Sequence, residues 1–451
     1  MAPANRSECR LICAPASLLA GPHTLSQTTD NAPTLIRAVS RWQIVGLSIN
    51  DVIGSGIYLL PAAAAALLGP ASLWAVLLAG LAASLLVLCY AQAASYFDQA
   101  GGAYLYTREA FGDFIGFEVG WMAWLTRIAS IAALANGLAL AMSALWPAAA
   151  HGPAHTAVIV LGIGAVTWVN VVGVKSGAQM AVVLTLAKLA PLLIFVAVGV
   201  FYMDWGNLSG STVPVRANLT EAALLLLFAY AGFENTPAAA AEYENPKRDV
   251  PFAMLTMIAV VTLTYVAIQA VALGTLPNLA TSTAPLAEAA GRFAGPAAVL
   301  LLTLGAVVSI LGNIGNSVLM GPRYLYALAV DGYGPALFAR VHPRWHTPVA
   351  AIVVPAAIAL ALALSGDFVQ LALLSVVARL ATYIGTAASL LVLQKRYADK
   401  PGALVLPGGR LIPLLALAVS LVLLLATTTA NLLAGAAAIG VGAVVYRLRR
   451  R

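Results

Sequence analysis

Long apolar runs, not alternation, organise this chain. Twelve follow one another, at approximately 42–67, 72–96, 114–145, 156–173, 180–203, 219–241, 253–275, 297–328, 348–364, 368–393, 411–427 and 431–446. A helix needs roughly 20 apolar residues to cross a bilayer core. Strands of a membrane barrel would instead show about 10 residues of alternating polarity. These runs are apolar throughout and dominated by Ala and Leu, both good helix formers. The pattern predicts an all-α polytopic membrane protein of about 12 transmembrane helices.

Two runs are interrupted at mid-span. Span one contains Asn50-Asp51-Val52-Ile53-Gly54-Ser55-Gly56-Ile57-Tyr58. Each glycine costs roughly 1 kcal/mol against Ala inside a helix, so the pair weakens the helix there. Backbone freed in this way is tolerated in lipid only where it lines a cavity or meets a partner. Close helix packing through small residues explains this segment equally well when it is taken alone. Span six contains Phe228-Ala229-Tyr230-Ala231-Gly232-Phe233-Glu234-Asn235-Thr236-Pro237, a second cluster of helix-breaking and polar residues. Interruptions at corresponding positions of two five-helix halves, here about 42–203 and 219–393, point to the binding site of a secondary transporter. The helix beginning near Ile57 would offer its amide end to a carboxylate. The carbonyls before Gly54 and Gly232 would face an ammonium.

Composition narrows the class further. Residues AVILMFWYC make up 61% of the 451 positions, and Asp, Glu, Lys and Arg only 9%. Soluble domains carry about 25% charged residues, so a soluble enzyme, a disordered chain and a disulfide scaffold are excluded. The net charge of +7 does not point to nucleic acid, because the charges are placed asymmetrically. With the N-terminus inside, only Arg216 and Arg292 of the 24 Lys and Arg fall outside, while Arg127, Lys188 and Arg379 fall within spans. This positive-inside bias predicts a cytoplasmic (inner) membrane protein with both termini cytoplasmic. Residues 1–35 are expected to form a disordered tail. The weak apolar stretch from Leu11 to Ala20, broken by Pro15, fits a solvated tail better than a cleaved signal. Residues 36–393 would form a ten-helix core, and 394–451 two further helices with a basic end. Cys9, Cys13 and Cys89 have neither disulfide nor metal spacing.

Six ionisable residues lie at membrane depth: Asp51, Glu118, Arg127, Lys188, Glu234 and Arg379. Such groups are costly and are usually paired or functional. Glu118 and Arg379 are read as near span ends, where they can snorkel. Lys188 is mid-span, in Leu186-Ala187-Lys188-Leu189-Ala190-Pro191, with little local polarity. Glu234 is either a protonatable sensor or an N-cap for the helix after Gly232. Phe228 is a gate or ordinary packing, and Trp121, Trp124 and Tyr383 are read as packing. The five histidines, His23, His151, His155, His342 and His346, all fall in loops or tail. No Ser–His dyad or His-bound metal is therefore expected at membrane depth. Catalytic residues, metal and cofactor are all expected to be none.

Several stretches together resemble a known family. They are Ile53-Gly54-Ser55-Gly56-Ile57-Tyr58, Gly232-Phe233-Glu234, Glu242-Tyr243-Glu244-Asn245-Pro246-Lys247-Arg248-Asp249-Val250-Pro251 and Ala284-Pro285-Leu286-Ala287. Gly321-Pro322-Arg323-Tyr324-Leu325-Tyr326-Ala327 follows, with Asp331-Gly332, His342-Pro343-Arg344 and Thr347-Pro348 beyond it. In type and order they resemble the amino acid–polyamine–organocation (APC) superfamily of permeases, which have the LeuT fold. Asp51 and Arg127 depart from the family pattern. The resemblance implies a 5+5 inverted repeat with helices one and six broken. It also implies an amino acid substrate held by Ile53, Gly54, Ser55, Gly56, Phe228, Ala231, Gly232 and Phe233. It places Lys188 where sodium-coupled relatives hold a sodium ion, which implies proton coupling through Lys188 and Glu234, or a fixed internal cation in an exchanger; a permanently charged Lys188 would instead brace spans one and eight. Spans one and three are neighbours in this fold, so Asp51 and Arg127 are expected to form an ion pair that positions the first helix. The expected function is a permease for neutral amino acids, proton-coupled and sodium-independent. The alternatives are a polyamine or cationic amino acid exchanger, or a sensor that binds without transport. The expected partners are a small-molecule amino acid, protons and the lipid bilayer, with no nucleic acid.

Overall fold

The computed structural model describes residues 39–99, 101–172, 178–208, 216–345 and 347–449. The tail of residues 1–35, with Cys9, Cys13 and His23, lies outside the described residues, as do Lys175 and His346. Among the described residues, regular structure is helical, apart from one bridge between Val39 and Tyr243.

Helices fall at every expected span. Span one is two pieces, α1 (Arg41–Val52) and α2 (Ser55–Leu68). Span two is α3 (Ser72–Tyr96). A short helix not foreseen as a span, α4 (Ala103–Phe111), precedes span three, α5 (Asp113–Met142), and Gly112 at φ +87° makes the corner between them. Spans four and five are α6 (Gly152–Val172) and α7 (Ala178–Gly199). Span six is α8 (Arg216–Tyr230) followed by a tighter 3₁₀ segment, Phe233–Glu242. Then come α9 (Pro246–Thr275), α10 (Pro285–Val330), α11 (Val349–Ser365), α12 (Phe368–Arg396), α13 (Leu411–Leu425) and α14 (Thr429–Arg449). A kink at Gly295, φ +72°, divides α10, so span eight proper begins at Pro296. Among the described residues, eight helical runs are long and apolar enough to cross a membrane, and α11 and α13 are shorter apolar helices. Exposed apolar side chains such as Trp74, Leu161, Trp168, Leu263 and Leu425 cover the outside of the bundle. In water that surface would be a liability; in lipid it is solvated.

The two broken spans lie at the centre. The first half of span one is tied to α9 by Arg41, whose Nε donates to Asp249 Oδ1 at 2.8 Å. It is tied to α7 by Thr185, which donates to the Gly46 carbonyl at 2.8 Å. α5 packs on α10 and α12, α3 packs on α9 and α8, and α13 and α14 lie on the periphery. The two interruptions abut backbone to backbone. Gly232 has φ +126°, and a Cβ there would run into the Asp51 carbonyl oxygen and lie 2.8 Å from its carbon. A Cβ on Gly56 would lie 2.6 Å from the Ala229 Cα, so α2 and α8 also approach through glycine.

Gly232→Ala should therefore lower stability by about 1–3 kcal/mol from its backbone alone, with the clash added. Gly164→Ala, in open space on α6, should be neutral or gain up to about 1 kcal/mol. Melting temperatures of the two variants in detergent test this contrast.

Candidate substrate site at the paired helix breaks

Each carbonyl freed where span one unwinds is held by a side chain from another helix. Lys188 Nζ, on α7, donates to the Asn50 carbonyl at 3.0 Å and the Ile53 carbonyl at 3.3 Å. It also donates to Asn313 Oδ1, on α10, at 2.6 Å. Asn313 Nδ2 donates to the Asp51 carbonyl at 3.1 Å, and Ser309 Oγ to the Ile53 carbonyl at 3.0 Å. The Tyr265 hydroxyl, on α9, reaches the Val52 carbonyl at 3.4 Å and the Ala229 carbonyl of span six at 3.0 Å. An unpaired carbonyl in hydrocarbon costs several kcal/mol. The break persists because three neighbouring helices supply its missing partners.

A charged cluster stands behind the second break. Glu234 Oε1 accepts from Arg127 Nη2 on α5 at 3.0 Å and from Arg379 Nη1 on α12. Its Oε2 accepts from the Gly232 amide at 3.0 Å and the Tyr383 hydroxyl at 3.3 Å. Arg379 Nη2 continues to Ser130 Oγ at 2.9 Å, and Ser130 and Ser375 share a bond of 2.7 Å. All the charged members are buried. Two guanidinium groups on one carboxylate leave the cluster with an excess positive charge.

Between the two clusters lies a cavity of about 30 Å³. A water needs roughly 10–15 Å³ by this measure, so the cavity holds a few waters at most and no amino acid. Its wall includes Gly54, Ser55 and Gly56 at the start of α2, and Phe228, Ala231 and Gly232 at the end of α8. The opening amides of a helix have no partners within it, so α2 presents an anion-binding end to this space. The Ser55 hydroxyl is buried and has no hydrogen-bond partner among the described residues. The Phe228 ring meets the Phe368 ring edge to face, centroids 6.0 Å apart.

Residues 39–442 match the sequence model of a family described as amino acid permease. The chain belongs to this family. It is 28% identical to a methylthioribose transporter of Bacillus subtilis over 94% of this chain and 95% of that protein. It is 26% identical to the branched-chain amino acid permease BcaP of the same organism, over 95% and 96%. An uncharacterized transporter of Mycobacterium tuberculosis is 32% identical over 93% of each chain. The permease is therefore an integral membrane transporter and not an enzyme.

The arrangement in the permease departs from the sequence expectations in five respects. Asp51 and Arg127 do not pair: Arg127 is taken by Glu234, and the Asp51 carboxylate accepts from Asn316 Nδ2 at 2.7 Å. Arg379 does not snorkel, because the Glu234 carboxylate holds it at the core, and Tyr383 reaches that carboxylate rather than merely packing. Ile53 and Phe233 do not line the cavity. The Ile53 side chain is fully buried, and Phe233 stacks on Tyr383 at 5.2 Å. The carbonyls before Gly54, expected to face an ammonium, already accept from protein donors. Finally, His155 lies in the first turn of α6, not in a loop. Asn313, Asn316, Ser309 and Ser317 were missed, although they recur at spacings of three and four along apolar span eight. That period marks one polar face of a helix.

Glu234→Gln should be the most damaging single change in the charged cluster. It leaves two buried cations facing each other, and breaking a buried pair costs about 3–5 kcal/mol. A double-mutant cycle on thermal stability should show strong coupling between Arg127→Gln and Glu234→Gln. Arg127→Gln with Asp51→Asn should be nearer to additive.

Proposed function

We propose that this permease is a secondary active transporter that moves amino acids across the cytoplasmic membrane by alternating access. The driving ion is the proton and not sodium, and both termini are cytoplasmic, as the Lys and Arg asymmetry requires. The substrate carboxylate rests on the amides from Gly54 to Gly56. Its ammonium rests at the end of α8, near Ala231. Phe228 and Phe368 close the site on the outer side, and Glu234 holds Arg127 and Arg379 in place behind it.

One observation carries the coupling. Three oxygens, those of Asn50, Ile53 and Asn313, converge on Lys188 Nζ within 3.3 Å. Such a set of oxygens suits a bound cation, and here a tethered ammonium fills it. When the amine loses its proton, one of its three donors becomes a lone pair. One of the three oxygens then loses its partner, and the hold on span one weakens. A proton therefore biases the balance between outward and inward states.

The cargo cannot be taken from the relatives. Their names specify methylthioribose, branched-chain amino acids and, for an Arabidopsis thaliana protein 27% identical, cationic amino acids. The wall here is rich in Asn and Ser: Ser130, Asn235, Asn313, Asn316 and Ser317 contribute to it. That lining suits a neutral amino acid with a polar side chain better than an aliphatic one, because buried amides without partners are costly. Arg127, Lys188 and Arg379 outnumber Asp51 and Glu234 around the site, which disfavours a polyamine or a cationic amino acid.

Uptake into proteoliposomes tests the proposal. An imposed proton gradient should drive accumulation of labelled serine, threonine, asparagine or glutamine, and a sodium gradient should not. Lys188→Ala should abolish gradient-driven uptake while keeping some binding, read by thermal shift with the amino acid. Lys188→Arg should not restore uptake, since arginine keeps its proton. Sodium-driven uptake, or full coupling in Lys188→Ala, contradicts the assignment. Binding without any transport points to a sensor.

A further inference from the structure

A second polar cluster joins α5, α6 and α11 at the outer end of the bundle. Its centre is His155, half-buried in the first turn of α6. Nδ1 lies 2.9 Å from the Ala149 carbonyl oxygen, and Nε2 lies 3.0 Å from Asn136 Oδ1. Both neighbours are acceptors. The orientation of the Asn136 amide is fixed by its other end, where Nδ2 donates to the Ala363 carbonyl at 2.9 Å and the Ala132 carbonyl at 3.2 Å. Turning the amide over would set oxygen against oxygen at both places. A neutral imidazole has one N–H and one lone pair. Either tautomer therefore sets a lone pair against an oxygen, and only the imidazolium satisfies both contacts.

We infer that His155 is a proton-binding site facing the outer solution, and that its proton locks the outer gate shut. The inference rests on the transporter reading and orientation above. With the proton bound, α6 holds Asn136, and Asn136 holds Ala363 near the end of α11. Without it one of the two ties is lost: the Nδ1–H form keeps Ala149 and gives up Asn136, or the Asn136 amide turns and releases Ala363, while the Nε2–H form keeps Asn136 and gives up the Ala149 carbonyl in the turn before α6. Ala363 leads directly into the corner that begins α12. There Asp367 caps the helix by accepting from the Gln370 amide at 2.9 Å, and Phe368 supplies the ring that lies on Phe228. The tie to α11 thus bears on the residue that closes the cavity.

The other titratable groups near this cluster are few. His151 and Asp367 line the same outer pocket, which has a volume of about 450 Å³. α11 carries no titratable residue, and neither does the turn Pro147–Ala150. Those of α5, Asp113, Glu118 and Arg127, lie two turns or more towards its other end. Glu288 and Arg292, on the outer part of α10, do not line the pocket.

The test uses a reporter that needs no cargo. Leu134 lines the closed cavity, so a Leu134→Cys thiol is reached by a membrane-impermeant methanethiosulfonate reagent only when the outer gate opens. Its labelling rate in intact vesicles is measured at outer pH values between about 5 and 8, with and without His155→Gln. Dividing the two rates at each pH removes the thiol's own ionisation. With the proton bound, the native-His155 protein should label more slowly, so the ratio should rise at least roughly threefold from the acid to the alkaline end. A flat ratio overturns the inference, and so does a pH step that disappears with Lys188→Ala instead. If His155→Gln does not fold, Asn136→Asp replaces it as the reference. That change keeps an acceptor for the imidazolium and removes the donor to Ala363, so the gate should label fast at every pH. Slow, pH-dependent labelling in Asn136→Asp also overturns the inference. Proteoliposomes that label as expected but take up no amino acid keep the lock and refute the transport reading.

Discussion

The structure depends on one constraint: an unwound backbone at membrane depth must find partners for its carbonyls. Lipid offers none. In span one the carbonyls from Asn50 to Ile53 are met by Lys188, Asn313, Ser309 and Tyr265, which belong to α7, α10 and α9. The polar residues of these otherwise apolar helices are placed by that need. The break is therefore an assembled feature. It exists only while several helices are in register around it, and a change in any one partner is felt at the site.

The two breaks are also joined to each other. Gly232 lets span six come against the Asp51 carbonyl, and Tyr265 offers its hydroxyl to a carbonyl of each span. A tyrosine has one hydroxyl proton, so it can donate fully to only one of them at a time. Movement of either half redistributes that bond instead of losing it. The cavity between the breaks is correspondingly small, about 30 Å³.

Charge acts differently on the two sides of the site. Lys188 is held by neutral oxygens and has no carboxylate in direct contact among the described residues. Arg127 and Arg379 are locked on Glu234, and guanidinium does not titrate in this range. Breaking a buried pair by removing one partner is costly, which suits a cluster that ties α5 to α12.

The sequence alone determined the class, the order of the apolar helices and the positions of both breaks. Those properties are written in local signals: runs of about 20 apolar residues, glycines that weaken a helix, and a charge asymmetry along the chain. It also singled out Lys188, since a lone lysine in an apolar helix has no local explanation. What it could not decide was pairing. Asp51, Arg127, Glu234 and Arg379 are all buried charges, and their partners depend on the rotation of α5 and α12 about their own axes. The rotations the helices adopt set Arg127 on Glu234 instead of the expected Asp51, and Arg379 at the core instead of a span end. The polar face of span eight was legible at its spacing of three and four residues. Its purpose was not, because the carbonyls that Asn313 and Ser309 satisfy lie more than 250 positions away in the chain. Only tertiary packing brings them within a hydrogen bond.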